Sequence, residues 1–112
     1  MQREIRKYLF DIKESIDSIE MYLHDRRDFN EYLSNKLLRR GIGRELEIIG
    51  EATNRILKFD SDFHIDDARR IVDLRNWVIH GYDKIDDVIV WGIVSRDIPK
   101  LREQIENLLK EK

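Results

Sequence analysis

Apolar residues recur along the start of the chain at steps of three and four: Ile5, Leu9, Ile12, Ile16, Ile19 and Leu23. That step keeps side chains on one stripe of a 3.6-residue helix, so a helix buried along one face is expected from about Gln2 to Leu23. Lys13, Glu14, Asp17 and Glu20 fall off the stripe, and His24 to Asp28 reads as a polar connector. The same step returns at Leu38, Ile42, Leu46, Ile49, Ala52 and Ile56, which predicts a second long helix. Asn35 is placed to cap its start, and Phe29 to Leu33 reads as a short helical turn before it. Gly41, Gly43 and Gly50 lie inside this pattern, where each interior glycine costs up to ~1 kcal/mol relative to alanine. Close approach of another helix would account for them; so would a bend near Gly41 and Gly43.

Phe59 to His64 reads as a loop, and a third helix is expected to begin at Asp66 or Asp67. Ile71, Leu74 and Val78 form its buried row with Trp77 beside it, and Gly81 ends it, because glycine enters a left-handed C-terminal conformation without steric cost. A fourth helix starts near Asp86. Val88 to Val94 is apolar almost all round, which predicts burial on two sides. Ser95 to Pro99 reads as a kink or restart, with Asp97 as the cap and Pro99 in the new first turn. Leu101, Ile105 and Leu108 continue the stripe. No strand-like alternation and no repeat occurs. The expectation is all-α: one domain over residues 1–112, an up-and-down bundle of four main helices. Such a bundle has one interior, yet residues 88–94 and Trp77 offer a second apolar surface, so a homodimer is expected.

Composition narrows the function classes. With 112 residues there is room for one domain. The absence of cysteine excludes disulfides, thiolate metal sites and cysteine nucleophiles. The apolar run ending at Val94 is far short of the ~20 residues that cross a bilayer, and Met1-Gln2-Arg3-Glu4 opens directly into a charged helical pattern. No membrane association and a cytoplasmic location are expected. Lys and Arg number 21 against 23 Asp and Glu, a formal net charge of -2. A general nucleic-acid coat would be strongly basic, so that class is excluded. An enzyme that grips one or two phosphates needs only local positive charge and stays open.

Candidate chemistry concentrates in one place. His24 and His64 sit in polar connectors beside acids and read as solvated side chains. His80 has different company, because Arg75, Asn76, His80 and Tyr82 fall within eight residues at a helix C-terminus. Ribonucleolysis asks for a group that takes the proton of the attacking 2′-hydroxyl and one that protonates the leaving oxygen. Imidazole, with an ordinary pKa of about 6.5, serves either step near neutrality. A guanidinium meets phosphate oxygens through a planar fork of donors. Arg75 and His80 therefore make a minimal set with no metal and no cofactor, provided both reach one phosphate. At about 100° per residue they stand about 140° apart on an ideal helix. Unwinding at Gly81 would bring them together, and pairing of two motifs across a dimer axis, the arrangement we favour, would supply two imidazoles.

The string Arg75-Asn76-Trp77-Val78-Ile79-His80-Gly81-Tyr82 resembles the R-x4-H-x-Y motif of HepT-like toxins, a branch of the HEPN superfamily. Three further segments resemble that family in order: Arg6 to Ile12, Leu46 to Ala52, and Val90-Trp91 with Asp97-Ile98-Pro99-Lys100-Leu101. The resemblance thus covers nearly the whole chain. It implies a HEPN-like helical bundle that dimerises with its motifs facing across a cleft, and metal-independent endoribonuclease activity leaving a 2′,3′-cyclic phosphate. It also implies a partner, a minimal nucleotidyltransferase antitoxin that transfers AMP to the motif tyrosine and with which the dimer can assemble further. Carried over, Arg75 binds the scissile phosphate, His80 transfers protons, Asn76 supports the site and Tyr82 is the AMPylated residue. The alternative is a non-catalytic dimer that docks or presents substrate to a nucleotidyltransferase.

Overall fold

A computed structural model describes residues 1–24, 26–79 and 87–110, with the backbone alone for 74–79. Among the described residues every regular element is helical: α1 (Arg3–Leu23), α2 (Phe29–Ser34), α3 (Lys36–Phe59), α4 (Ala68–Ile79), α5 (Asp87–Gly92) and α6 (Ile98–Lys110), the last two joined by a π-helical turn (Ile93–Asp97). No described helix is long and apolar enough to cross a membrane.

The two long stripes become the core. Leu9, Ile12, Ile16 and Ile19 of α1 and Ile42, Leu46, Ile49 and Ile56 of α3 are fully buried, joined by Ile93, Ile98 and Ile105 from the last helices. α1 and α3 lie antiparallel: the Tyr8 ring of early α1 meets the Phe59 ring at the end of α3, centroids 6.2 Å apart, whereas Tyr22 of late α1 donates to Glu45 at 3.0 Å. Asn35 caps α3 as expected, its Oδ1 accepting the Leu38 N–H at 3.0 Å, and Asp28 does the same for α2. α3 is one uninterrupted helix, so the glycines mark no break. At Gly41 the reason is a close approach: a Cβ there would stand 3.2 Å from the Tyr22 ring.

The last helices pack against the first. Arg6 Nη2 donates to the Leu109 carbonyl at 3.0 Å, and Arg102 meets Asp17 at 2.8 Å, so α6 runs antiparallel to α1. α4 runs back toward the start of α3. Just ahead of it the Asp66 N–H reaches Gln104 of α6, and one turn into it Arg70 reaches Asp97 at 3.3 Å. The bundle therefore has two distinct ends. One gathers the C-termini of α1 and α4, the N-terminus of α3, α2 and α5.

Three expectations need correction. The third helix begins at Ala68, not at Asp66 or Asp67; the latter takes a left-handed φ of 56° in the preceding turn. The helix does not restart at Asp97: α5 continues through the π turn into α6, and the Asp97 carboxylate pairs with Arg70 instead of capping. Burial on two sides over residues 88–94 holds only in part. Val90, Ile93 and Val94 are buried, but Val88 is 68% and Ile89 44% exposed. Gly81 as a helix terminator and the Trp77 side chain lie outside what the structure describes.

Candidate active site

α4 positions the first half of the motif. Ile71 and Val72 are buried and seat the helix on the core, and the backbone of Arg75 and Asn76 follows as its last two turns run to Ile79. The side chains of Arg75 and Asn76, and His80 and Tyr82 altogether, lie outside the described residues. The chain is described again at Asp87, the first residue of α5.

That re-entry point is anchored. Phe29, Tyr32 and Trp91 form a ring cluster between α2 and α5, with Tyr32 to Trp91 centroids 5.2 Å apart. The buried Tyr32 hydroxyl donates to Asp87 Oδ1 at 3.4 Å. Burial, and then the Asp87 charge, push the Tyr32 phenol far above its ordinary value, so it remains a neutral donor. The motif is thus flanked in sequence by two fixed points, the packed helix α4 and the Tyr32–Asp87 contact.

A second anchor explains the π turn. The Ile98 N–H returns to the Ile93 carbonyl, and Pro99, one residue on, has no N–H to give. The Val94 carbonyl accordingly accepts from Arg27, at 3.4 Å from Nε and 3.3 Å from Nη2. The same guanidinium forks onto both carboxylate oxygens of Glu20. Arg27 so ties the end of α1 to the α5–α6 junction at the end of the bundle that α4 approaches. Neither Arg27, Tyr32 nor Asp87 was legible as a framing residue, because each acts through a partner far away in sequence.

The carboxylates of this belt have a pH consequence. The hydrogen bonds from Arg27 hold Glu20 below the ordinary range, outweighing desolvation. For Asp17, burial alone would raise the value, but the hydrogen bond from Lys13 and the charge of Arg102 together hold it low. Both groups bind protons less tightly when folded. The stability they confer is complete above the unfolded carboxylate value near pH 4 and is lost as pH falls through the depressed folded values. Arg27→Met is expected to cost about 1–3 kcal/mol at pH 7 by stripping Glu20 and the Val94 carbonyl of their donor. It should also flatten the loss of stability below about pH 4.5 that urea titrations at stepped pH would show for the parent protein. An unchanged acid profile would mean that Arg27 does not hold Glu20 in solution.

The other two histidines are exposed. His24 closes α1 with a left-handed φ of 54°, and His64 is exposed and pairs with Asp66 at 2.7 Å. Among the described residues no cluster of three His, Asp or Glu side chains is arranged to hold a metal ion.

Comparison with known proteins agrees with the family resemblance. The profile of the family described as Ribonuclease HepT-like matches residues 12–108. The chain is 38% identical over 106 residues to a Methanocaldococcus jannaschii protein named as a candidate RNase, covering 94% of this chain and 96% of that one. It is 34% identical over 111 residues to a Thermococcus cleftensis protein named as a probable ribonuclease HepT, covering 98% and 100% respectively. No solved structure matches. With a family profile spanning nearly the whole chain and relatives of this identity over their full length, the chain belongs to the HepT-like ribonuclease family.

Proposed function

We propose that this protein is a metal-independent endoribonuclease toxin that works as a homodimer, with Arg75 and His80 at its active site. The observation that carries the reading is the R-x4-H-x-Y string, Arg75 to Tyr82, in a chain of this ribonuclease family. In the reaction the ribose 2′-hydroxyl attacks the adjacent phosphorus and the bond to the 5′-oxygen breaks, leaving a 2′,3′-cyclic phosphate and a 5′-hydroxyl. Arg75 neutralises the charge that builds on the phosphoryl oxygens, and Asn76 supports it. His80 takes the 2′-proton, and the second imidazole of the dimer returns one to the leaving oxygen. Exposed apolar side chains at the motif end, Val88 at 68% and Ile89 at 44%, support a second copy as partner.

Control comes from a minimal nucleotidyltransferase antitoxin. The Tyr82 phenolic oxygen attacks the α-phosphorus of ATP, pyrophosphate leaves, and the phenolic proton passes to solvent. The AMP so attached places bulk and negative charge next to the RNA phosphate, which repels it. The decisive experiment digests a single-stranded RNA with purified protein in excess EDTA and analyses the ends by mass spectrometry. Cyclic-phosphate termini are expected. Cleavage that needs added divalent metal, or none at all from the unmodified dimer, would overturn the proposal, and the latter would favour a non-catalytic docking subunit.

A further inference from the structure

The chain is acidic overall, yet its charge is unevenly placed. Residues 26–44 carry six cations, Arg26, Arg27, Lys36, Arg39, Arg40 and Arg44, against two carboxylates, Asp28 and Glu31. All of this segment lies at the end of the bundle toward which α4 carries Arg75. Two of the cations are held within the fold, Arg27 by Glu20 and the Val94 carbonyl and Arg39 by the Leu33 carbonyl at the end of α2, and the exposed Arg26 pairs with Glu31 at 2.8 Å. The other three are Lys36, Arg40 and Arg44, all exposed. Lys36 and Arg40 meet no carboxylate among the described residues. Arg44 has only a pair with Glu47 at 3.2 Å, its side chain 70% exposed, an arrangement that contributes little and yields readily to a competing anion.

Spacing gives this patch a shape. Lys36, Arg40 and Arg44 follow one another at four-residue steps on an unbroken helix, so they form a single ridge with about 6 Å between successive residues. That step is comparable with the separation of successive phosphates in an extended single strand. Beyond Arg44 the same helix turns acidic, with Glu45, Glu47 and Glu51, so the ridge ends before the middle of α3. We propose that the ridge of Lys36, Arg40 and Arg44 is the track that holds the sugar-phosphate backbone of single-stranded RNA beside the cleavage site. This rests on the ribonuclease reading above and adds where the substrate lies. It also offers a way for a protein of net charge -2 to hold RNA, since the six cations and two carboxylates of residues 26–44 make a local positive excess that net charge averages away.

The test compares the parent protein with the K36A/R40A/R44A triple variant, whose replaced side chains are all exposed. The probe is a fluorescein-labelled 2′-O-methyl RNA oligonucleotide, which lacks the nucleophile and survives incubation. Kd is measured by anisotropy across a salt series, with thermal melts and sedimentation on both proteins. With about 0.7 of a log-log salt slope for each phosphate contact in a single strand, the triple variant should lose about 2 from its slope and bind at least about tenfold more weakly at low salt. On unmodified RNA its KM should rise while kcat stays within about twofold. Equal binding and slope in the two proteins would overturn the track while leaving the ribonuclease assignment standing. Failure of the parent protein to bind or cleave RNA would overturn both. RNA binding kept but affinity for a minimal nucleotidyltransferase lost would give the ridge to the protein partner, and loss of the dimer in the variant would count against a direct role in binding RNA.

Discussion

Replacing His80 by alanine is expected to lower RNA cleavage by roughly 10²–10⁴-fold while leaving binding of the uncleavable 2′-O-methyl strand unchanged. The size follows from what an acid–base group supplies: without the imidazole, the 2′-hydroxyl must ionise unaided at neutral pH. Because each protomer of the proposed dimer contributes one imidazole, the substitution removes both the proton acceptor and the proton donor, which places the loss toward the upper part of that range. Mixed dimers made by co-expressing parent and variant chains separate the roles. A pair that shares one phosphate should be nearly inactive in the heterodimer, whereas two independent sites would leave half of the activity. Cleavage at the parental rate in the pure His80→Ala protein would remove His80 from the chemistry altogether.

The second large effect concerns the scaffold. Leu46→Ala is expected to cost about 2–5 kcal/mol, a large share of the ~5–15 kcal/mol that a domain of this kind has in total. Leu46 is fully buried on α3, the helix that packs against both α1 and α4. Truncation there leaves a void in a core built largely of fully buried isoleucines. The midpoint of thermal unfolding should fall by on the order of ten degrees or more, compared at equal protein concentration because association raises apparent stability. A shift of only a degree or two would show that α3 is not the central element of the core.

Much of this architecture could be read from spacing alone. Every member of the first apolar stripe, from Ile5 to Leu23, is buried, and so is every member of the second, from Leu38 to Ile56. The Asn35 cap was legible because a cap is a local device between a side chain and an N–H three residues on. What escaped depended on partners distant in sequence. Pro99 and Asp97 look like a helix restart until Arg27 is seen to take the Val94 carbonyl, sixty-seven residues away. Val88 and Ile89 share an apolar run with Val90 but face outward, and composition cannot tell which side of a short helix is covered. Within the motif, position on α4 was legible for Arg75 and Asn76. The ridge at Lys36, Arg40 and Arg44 was hidden by net charge, an average that erases where the cations stand.

The pairing of α1 with α6 has a consequence for biosynthesis. One flank of α1 is covered by α6, a helix synthesised much later, through Arg6 on the Leu109 carbonyl and Asp17 on Arg102. A nascent chain stalled before α6 emerges leaves α1 without that cover, so this flank of the interior closes only once α6 has been made, and the core is completed by a contact between segments far apart in sequence.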